Sequence, residues 1–265
     1  MQRPPTLCPS LAMMMMTNSA QGALVLSLLL LSPRKKKMRF RAFREFEDGE
    51  MIDGLGYDIV VHRRSLGDLI LPSGQLIACD PLLALDSEPF LVDLKPGAYP
   101  VHLLIAKLRD EKLVAYSVVS LRSTPVRRWE LARLPEREDA SLLDRDEESG
   151  FHVDSSLGAY LDKETADALV NYHQLVMPED NDFERHIWGR IHRRRARGVG
   201  WAALDLRSDL QLPYGDGRNM LIFDAGFGNG YYSSYVGYDA DEEISSIVTD
   251  FEVLDLRFPS FPLSG

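Results

Sequence analysis

The stretch Asn219–Leu254, NMLIFDAGFGNGYYSSYVGYDADEEISSIVTDFEVL, carries the strongest fold signal in the chain. Its order predicts a strand, a glycine-rich turn, an aromatic strand, an acidic turn and a final strand. The pair Asn229-Gly230 is typical of a hairpin tip, where the backbone needs positive φ. The acidic run Asp239–Glu243 predicts a second, exposed hairpin turn. The stretch therefore indicates an antiparallel β-meander.

The sequence before this meander also favours antiparallel strands. The turn Pro72-Ser73-Gly74 separates two apolar runs and predicts a hairpin within Asp68–Cys79. The charged turn Arg109–Lys112 separates two longer runs, Ala98–Leu108 and Leu113–Leu121, and predicts another hairpin.

One segment has a clear helical pattern. Within Asp162–Tyr172, Asp162 is a favourable N-cap, and Ala166, Leu169 and Val170 share one face. We therefore expect an α+β fold that is mostly β, built as an antiparallel sandwich or a curved sheet with one or two helices.

Charge argues against general nucleic-acid binding. The 265 residues carry a formal net charge of −10. Residues 1–37 contain five basic residues and no acidic ones, so removing those five charges leaves −15 for residues 38–265. A body of that charge repels phosphate backbones.

The two cysteines, Cys8 and Cys79, are too few for a disulfide framework or a zinc site. Cys79 lies in a strand-like run, which favours a buried thiol over a reactive one. These features favour a reducing, cytoplasmic setting.

The N-terminal region has a composition unlike the rest. The apolar run Ala23–Leu31 is about half the length of a membrane span, and the basic cluster Arg34–Lys37 follows it rather than preceding it. We expect residues 1–37 to lie outside the fold, with translation starting at Met38; a short membrane-associating or signal-like segment is the rival interpretation. No stable membrane span is expected. Residues 38–67 then form an N-terminal extension, and residues 68–258 a single β-rich domain with a charged insertion at 178–200.

That insertion changes from acidic to strongly basic and contains Arg193-Arg194-Arg195 and Arg197. Such a cluster is compatible with an RNA-binding or anion-binding loop. A solvated, charge-paired helix is the competing interpretation, because one short basic cluster steers weakly against an acidic body.

The sequence lacks the motifs of common catalytic and cofactor sites. No nucleophile elbow, P-loop, dinucleotide fingerprint, zinc spacing or EF-hand loop is present. The glycine-rich run Gly226–Gly230 leads into an aromatic strand, whereas a phosphate-binding loop leads into a helix. The carboxylates of Asp239–Glu243 lack the glycine and the terminal glutamate of a calcium loop. We therefore expect no cofactor and no metal.

Carboxylates in strand-like sequence are candidates for an acid–base or metal-binding site. Asp80, Glu130, Asp154 and Asp250 would supply acid–base or metal-binding groups if they converged, which gives the alternative function of a carboxylate-based hydrolase, with or without a metal ion. In the structural interpretation, each carboxylate instead accepts backbone N–H groups at a strand end.

The leading hypothesis is a binding or interaction domain to which no reaction is assignable. It rests on glycine-rich and aromatic turns without a catalytic set, and a protein partner is one candidate ligand. The candidate binding residues are Gly228, Asn229, Tyr232 and Tyr235.

Five stretches together resemble the bacterial family catalogued as domain-of-unknown-function family 4241. In the family's order they are LPSGQLIACDPL (71–82), KPGAYPVHLLIA (95–106), PVRRWELA (125–132), VDSSLGAYLD (153–162) and NMLIFDAGFGNGYYSSYVGYDADEEISSIVTDF (219–251). The resemblance implies domain limits and no known reaction.

The chain departs from the family's pattern at three places. Asn229 stands where the family tends to have Asp, Asp241-Glu242 where it tends to have Asp-Gly, and Ser156-Leu157-Gly158 where it often has Gly-Thr-Gly. Asn229 is therefore not a candidate catalyst.

Overall fold

The computed structural model describes residues 46–54, 57–135, 150–176, 182–195, 200–210 and 217–254. The predicted leader at 1–37 lies outside these residues, and so does part of the 178–200 insertion. Within the described residues, two antiparallel sheets and three helices form three layers. None of these helices is long and apolar enough to cross a membrane bilayer.

The large sheet has eight strands in the order β1-β2-β4-β5-β12-β11-β6, and β7 also pairs with β11. These strands are β1 (Glu50–Gly54), β2 (Tyr57–Leu71), β4 (Gly97–Leu108), β5 (Glu111–Ser120), β6 (Arg128–Leu131), β7 (Gly150–Val153), β11 (Gly230–Tyr238) and β12 (Ile244–Asp250). The predicted extension at 38–67 contributes β1 and most of β2 to this sheet.

The small sheet has four strands in the order β3-β8-β10-β9. They are β3 (Leu76–Cys79), β8 (Leu157–Asp162), β9 (Trp201–Asp205) and β10 (Asn219–Asp224). The helices are α1 (Lys163–Val176), α2 (Asp182–Arg195) and the short α3 (Leu206–Leu210).

The small sheet is the middle layer, and alternate residues of its strands enter two different cores. Tyr160 and Phe223 belong to the core shared with the large sheet. Leu161 and Ile222 belong to the second core, which also contains Leu169 of α1 and side chains of α2. Because both faces are covered, β8 is buried along its whole length. The expected fold class, α+β and mostly β with antiparallel sheets, is confirmed.

Two predicted hairpins are wrong, because both turns are corners between the sheets. The turn at Pro72-Ser73-Gly74 leaves β2 in the large sheet and enters β3 in the small sheet. The glycine-rich turn leaves β10 in the small sheet and enters β11 in the large sheet. The predicted hairpins β4–β5 and β11–β12 are confirmed by their pairing.

Asp162 holds the first corner and starts the helix. One carboxylate oxygen accepts the N–H of Glu164 at 2.9 Å, which caps α1 as the sequence predicts. The other accepts the backbone N–H and the hydroxyl of Ser73, at 3.0 and 2.8 Å. Asp162 therefore links β8, the start of α1 and the connection between the two sheets.

A buried hydroxyl network joins the two sheets. Tyr160 of β8 places its hydroxyl 2.7 Å from Ser117 Oγ of β5 and 2.6 Å from Thr249 Oγ1 of β12. Thr249 Oγ1 is also 2.8 Å from Ser234 Oγ of β11. All four residues have no exposed surface. Burial raises the pKa of Tyr160 to about 12, so the phenol stays protonated and can donate.

We expect Tyr160→Phe to lower the free energy of unfolding by about 1–3 kcal/mol, because two buried hydroxyls then lose a partner. Tyr99→Phe is the control, since Tyr99 donates to a carbonyl at an exposed position. The measurement is urea unfolding of each variant. An equal loss in both variants would contradict a special role for the buried network.

The glycine-rich corner depends on close packing at Gly226. A Cβ there would lie 2.7 Å from Phe251 Cβ and 2.8 Å from the Phe251 carbonyl oxygen. We expect Gly226→Ala to cost about 1–3 kcal/mol more than Gly49→Ala. Gly49 also has positive φ, but nothing lies within 4 Å of its added Cβ, so the difference between the variants isolates packing. Equal unfolding midpoints in urea would contradict this account.

Candidate functional site

Asp80 is a structural carboxylate that organises a loop. It is 1% exposed at the end of β3. Its Oδ2 accepts the backbone N–H groups of Asp154 and Ser155 at 3.0 and 2.8 Å. Its Oδ1 accepts the Ser155 hydroxyl at 2.7 Å and the Leu82 N–H at 2.9 Å. These donors account for both oxygens, and they fit the structural interpretation of this residue.

The other three candidate carboxylates have separate surroundings. Asp154 is exposed and pairs with His152 at 3.4 Å. Glu130 is exposed on β6 and pairs with Arg128. Asp250 is 1% exposed, and its Oδ1 accepts the N–H of Glu252 at 2.7 Å.

The strand register separates Glu130 from Asp250. Glu130 lies opposite Val236, and Asp250 lies opposite Ser233, on two sides of β11. Glu130 and Asp250 are offset by three residues along the strands and by two strand spacings across the sheet, which puts them about 14 Å apart. Within the described ranges, no group of three His, Cys, Asp or Glu side chains is arranged to hold a metal ion. Glu130 and Asp250 therefore do not belong to one acid–base or metal site.

Three of the predicted binding residues lie at the glycine-rich corner. Gly228 has a φ of 110°, and its carbonyl accepts the Tyr232 hydroxyl at 2.8 Å. Asn229 accepts the Ser156 hydroxyl at 2.9 Å. The Tyr232 side chain is buried, and its hydroxyl is used within the fold. Tyr235 projects from the opposite face of β11, so the structure does not bring all four residues together.

Cys79 is fully buried, and burial raises the pKa of its thiol well above the usual range. The predicted buried thiol is confirmed, and a thiol of this kind is a poor nucleophile.

A groove of about 700 Å³ lies on the outer face of the large sheet, which points away from the small sheet. The inner face carries the hydroxyl network, so the alternating residues of the same strands point into the groove. Three rows of side chains form its floor: Arg63, Leu104 and Tyr116; His102, Val118 and Val248; and Pro100, Ser120 and Ser246.

The rim of the groove comes from three separate segments. The loop 121–126 follows β5 and borders one side. Trp129 of β6 packs over Gly237, where an added Cβ would lie 2.8 Å from the indole ring. Phe46, before β1, completes the lining. Apolar rim residues over a floor containing hydroxyls give a concave surface of mixed character.

The charges in the groove contrast with those of the whole protein. The described residues that line it include Arg63, Arg122 and His102 but no Asp or Glu. Burial lowers the pKa of His102 to about 4, and the nearby positive charge of Arg63 adds to this effect. His102 is therefore neutral at pH 7.

Sequence reasoning missed the groove. His102, Ser120 and Ser246 interrupt apolar runs at positions that alternate with buried residues, and this alternation was the available signal. Finding the site also required knowing that β4, β5 and β12 are neighbours, which the sequence alone does not state.

The lowered pKa of His102 predicts a pH-dependent stability. An unfolded histidine titrates near about 6.5, whereas folded His102 titrates at about 4. Between these values the unfolded chain binds the proton and the folded chain does not, so stability falls as pH drops through this window. Between pH 7 and pH 4.5, we expect the melting temperature of His102→Gln to fall less than that of the wild type. Parallel losses in both proteins would contradict the assignment.

The chain matches the model of a known family. The family model described as "Protein of unknown function (DUF4241)" matches residues 69–249. The match covers more than half of the chain and includes β3 to β11 and nearly all of β12. The comparisons with curated proteins and with solved structures gave no match.

Proposed function

Starting from the chain's membership of the DUF4241 family, whose function is unknown, we propose that the protein is a binding domain. Its ligand site is the groove on the outer face of the large sheet. The observation that carries this proposal is a concave surface built from three strand-borne rows, with apolar and polar groups converging on one space. No reaction is assignable, and nothing found supports the hydrolase alternative.

The dimensions of the groove support a ligand site. A volume of about 700 Å³ falls inside the roughly 300–1,000 Å³ range of small-molecule sites. Its floor stands on paired strands, which hold side chains more firmly than loops do. The groove therefore has the rigidity that specific binding requires.

Tyr235 is the predicted binding residue that best fits this site. It lies opposite Val248, a floor residue, and opposite Leu131 of β6. Its side chain points to the same outer face, next to the groove lining but not part of it. The corner residues Gly228, Asn229 and Tyr232 remain a separate prediction for a second contact surface.

The setting we propose is the cytoplasm of a bacterium. The buried Cys79, which forms no disulfide within the described residues, supports a reducing compartment. The net charge of −10 supports a ligand other than a general nucleic acid, and a protein partner remains within the proposal.

A thermal-shift screen with small amphipathic compounds tests the site. A ligand that binds only the folded protein raises its melting temperature, by a few degrees when its concentration is about 100-fold above Kd. We expect such compounds to stabilise the wild type but not Ser246→Phe, because the added ring fills the floor of the groove.

Ser233→Phe is the matched control, since Ser233 lies on the same face of the sheet but outside the groove lining. Each variant is compared with its own ligand-free melting temperature. Compounds that stabilise Ser246→Phe as well as wild type would place the binding site elsewhere. A screen without any stabilising compound would count against a small-molecule site.

A further inference from the structure

We infer that the groove ligand is an amphipathic monoanion, with a carboxylate at the Arg63 end and an apolar body along the floor. This inference rests on the proposed function and specifies its ligand. It follows from the net charge of the groove, from the polar groups that remain available there, and from the order of the rows.

Among the described lining residues, one positive charge is uncompensated. Arg122 is paired with Glu243, at 2.8 Å between Nη2 and Oε2. Among the described residues, no carboxylate forms an ion pair with Arg63. His102 is neutral at pH 7, for the reason given above. One remaining guanidinium matches a singly charged carboxylate better than a doubly charged phosphate.

His102 provides a second polar group close to Arg63. His102 lies two residues before Leu104 on β4, and Leu104 lies opposite Arg63. The rows of His102 and Arg63 are therefore adjacent. The ring has no hydrogen-bond partner among the described residues, although it is half-buried. A half-buried polar ring is more stable with a partner, and a ligand in the groove would supply one.

The body of the ligand lies over aliphatic side chains. Leu104, Val118 and Val248 extend across β4, β5 and β12 from the Arg63 end. The floor spans three strand spacings from β2 to β12, which is a distance of about 14 Å. Trp129 lies farther along, beyond β11, in the row that contains Ser120 and Ser246. The floor therefore carries an aliphatic strip that starts at the Arg63 end and runs beside the row of Ser120 and Ser246.

Paired binding measurements with octanoate and octan-1-ol test this inference on the full chain. The two probes share the apolar body and differ in the charged head group. By isothermal titration calorimetry at pH 7, we expect octanoate to bind about tenfold more tightly than octan-1-ol. Arg63→Gln should remove this preference while leaving the affinity for octan-1-ol unchanged.

Arg64→Gln is the matched control. It removes the same charge from the neighbouring position of β2, whose side chain points to the other face of the sheet. We expect this variant to retain the octanoate preference. An NMR titration adds a direct readout, since a bound anion near His102 should raise its pKa, whereas octan-1-ol should not.

The outcomes separate the two proposals. Equal affinity for both probes, with Ser246→Phe blocking both, would overturn the monoanion and retain the groove. An octanoate preference that survives Arg63→Gln would also overturn the assignment of the head group. Absence of binding by both probes up to millimolar concentration would overturn the monoanion inference, while stabilising hits blocked by Ser246→Phe would still support the groove.

Discussion

The hydroxyl of Tyr160 is the contact on which the two-sheet arrangement depends. Four hydroxyl-bearing residues are fully buried between the sheets, and such groups are costly in an apolar core unless they are paired. The pairing is complete only when β5, β12 and β11 are adjacent and β8 faces them. Because each hydroxyl contacts its partner at a defined distance, this network selects one alignment of the two sheets. Apolar packing alone would tolerate small shifts between them.

This alignment also decides which face of the large sheet is available to a ligand. The inner face is covered by the small sheet, and the small sheet is covered in turn by α1 and α2. The outer face is bordered by one loop and a few rim residues. Side chains alternate along a strand, so the residues between the core positions of β4, β5 and β12 must face this space. The candidate site is therefore a direct consequence of the layer order.

The same layer order assigns the candidate carboxylates their roles. Asp80 and Asp162 lie at ends of strands in the small sheet, where they accept N–H groups from neighbouring loops. Two of the connections between the sheets, β2 to β3 and β10 to β11, each include a glycine with positive φ, Gly74 or Gly226. Polar groups at these crossings are used to hold loops in place. A ligand site therefore has to be sought away from these crossings, on the outer face of the large sheet.

By itself, the sequence determined β3 to β5 and β10 to β12, the cap of α1, two hairpins and the buried Cys79, because these depend on local periodicity and on residues close in the chain. It did not distinguish a hairpin from a corner between sheets, because Gly74 and Gly226 supply positive φ to either kind of turn. The continuous apolar runs of β3 and β10 were the remaining clue, since such runs are typical of strands covered on both faces. Only the tertiary structure brought Arg63 and His102 into one groove and kept Glu130 away from Asp250. Strand order decides which distant residues become neighbours, and that order depends on long-range contacts such as those of Tyr160.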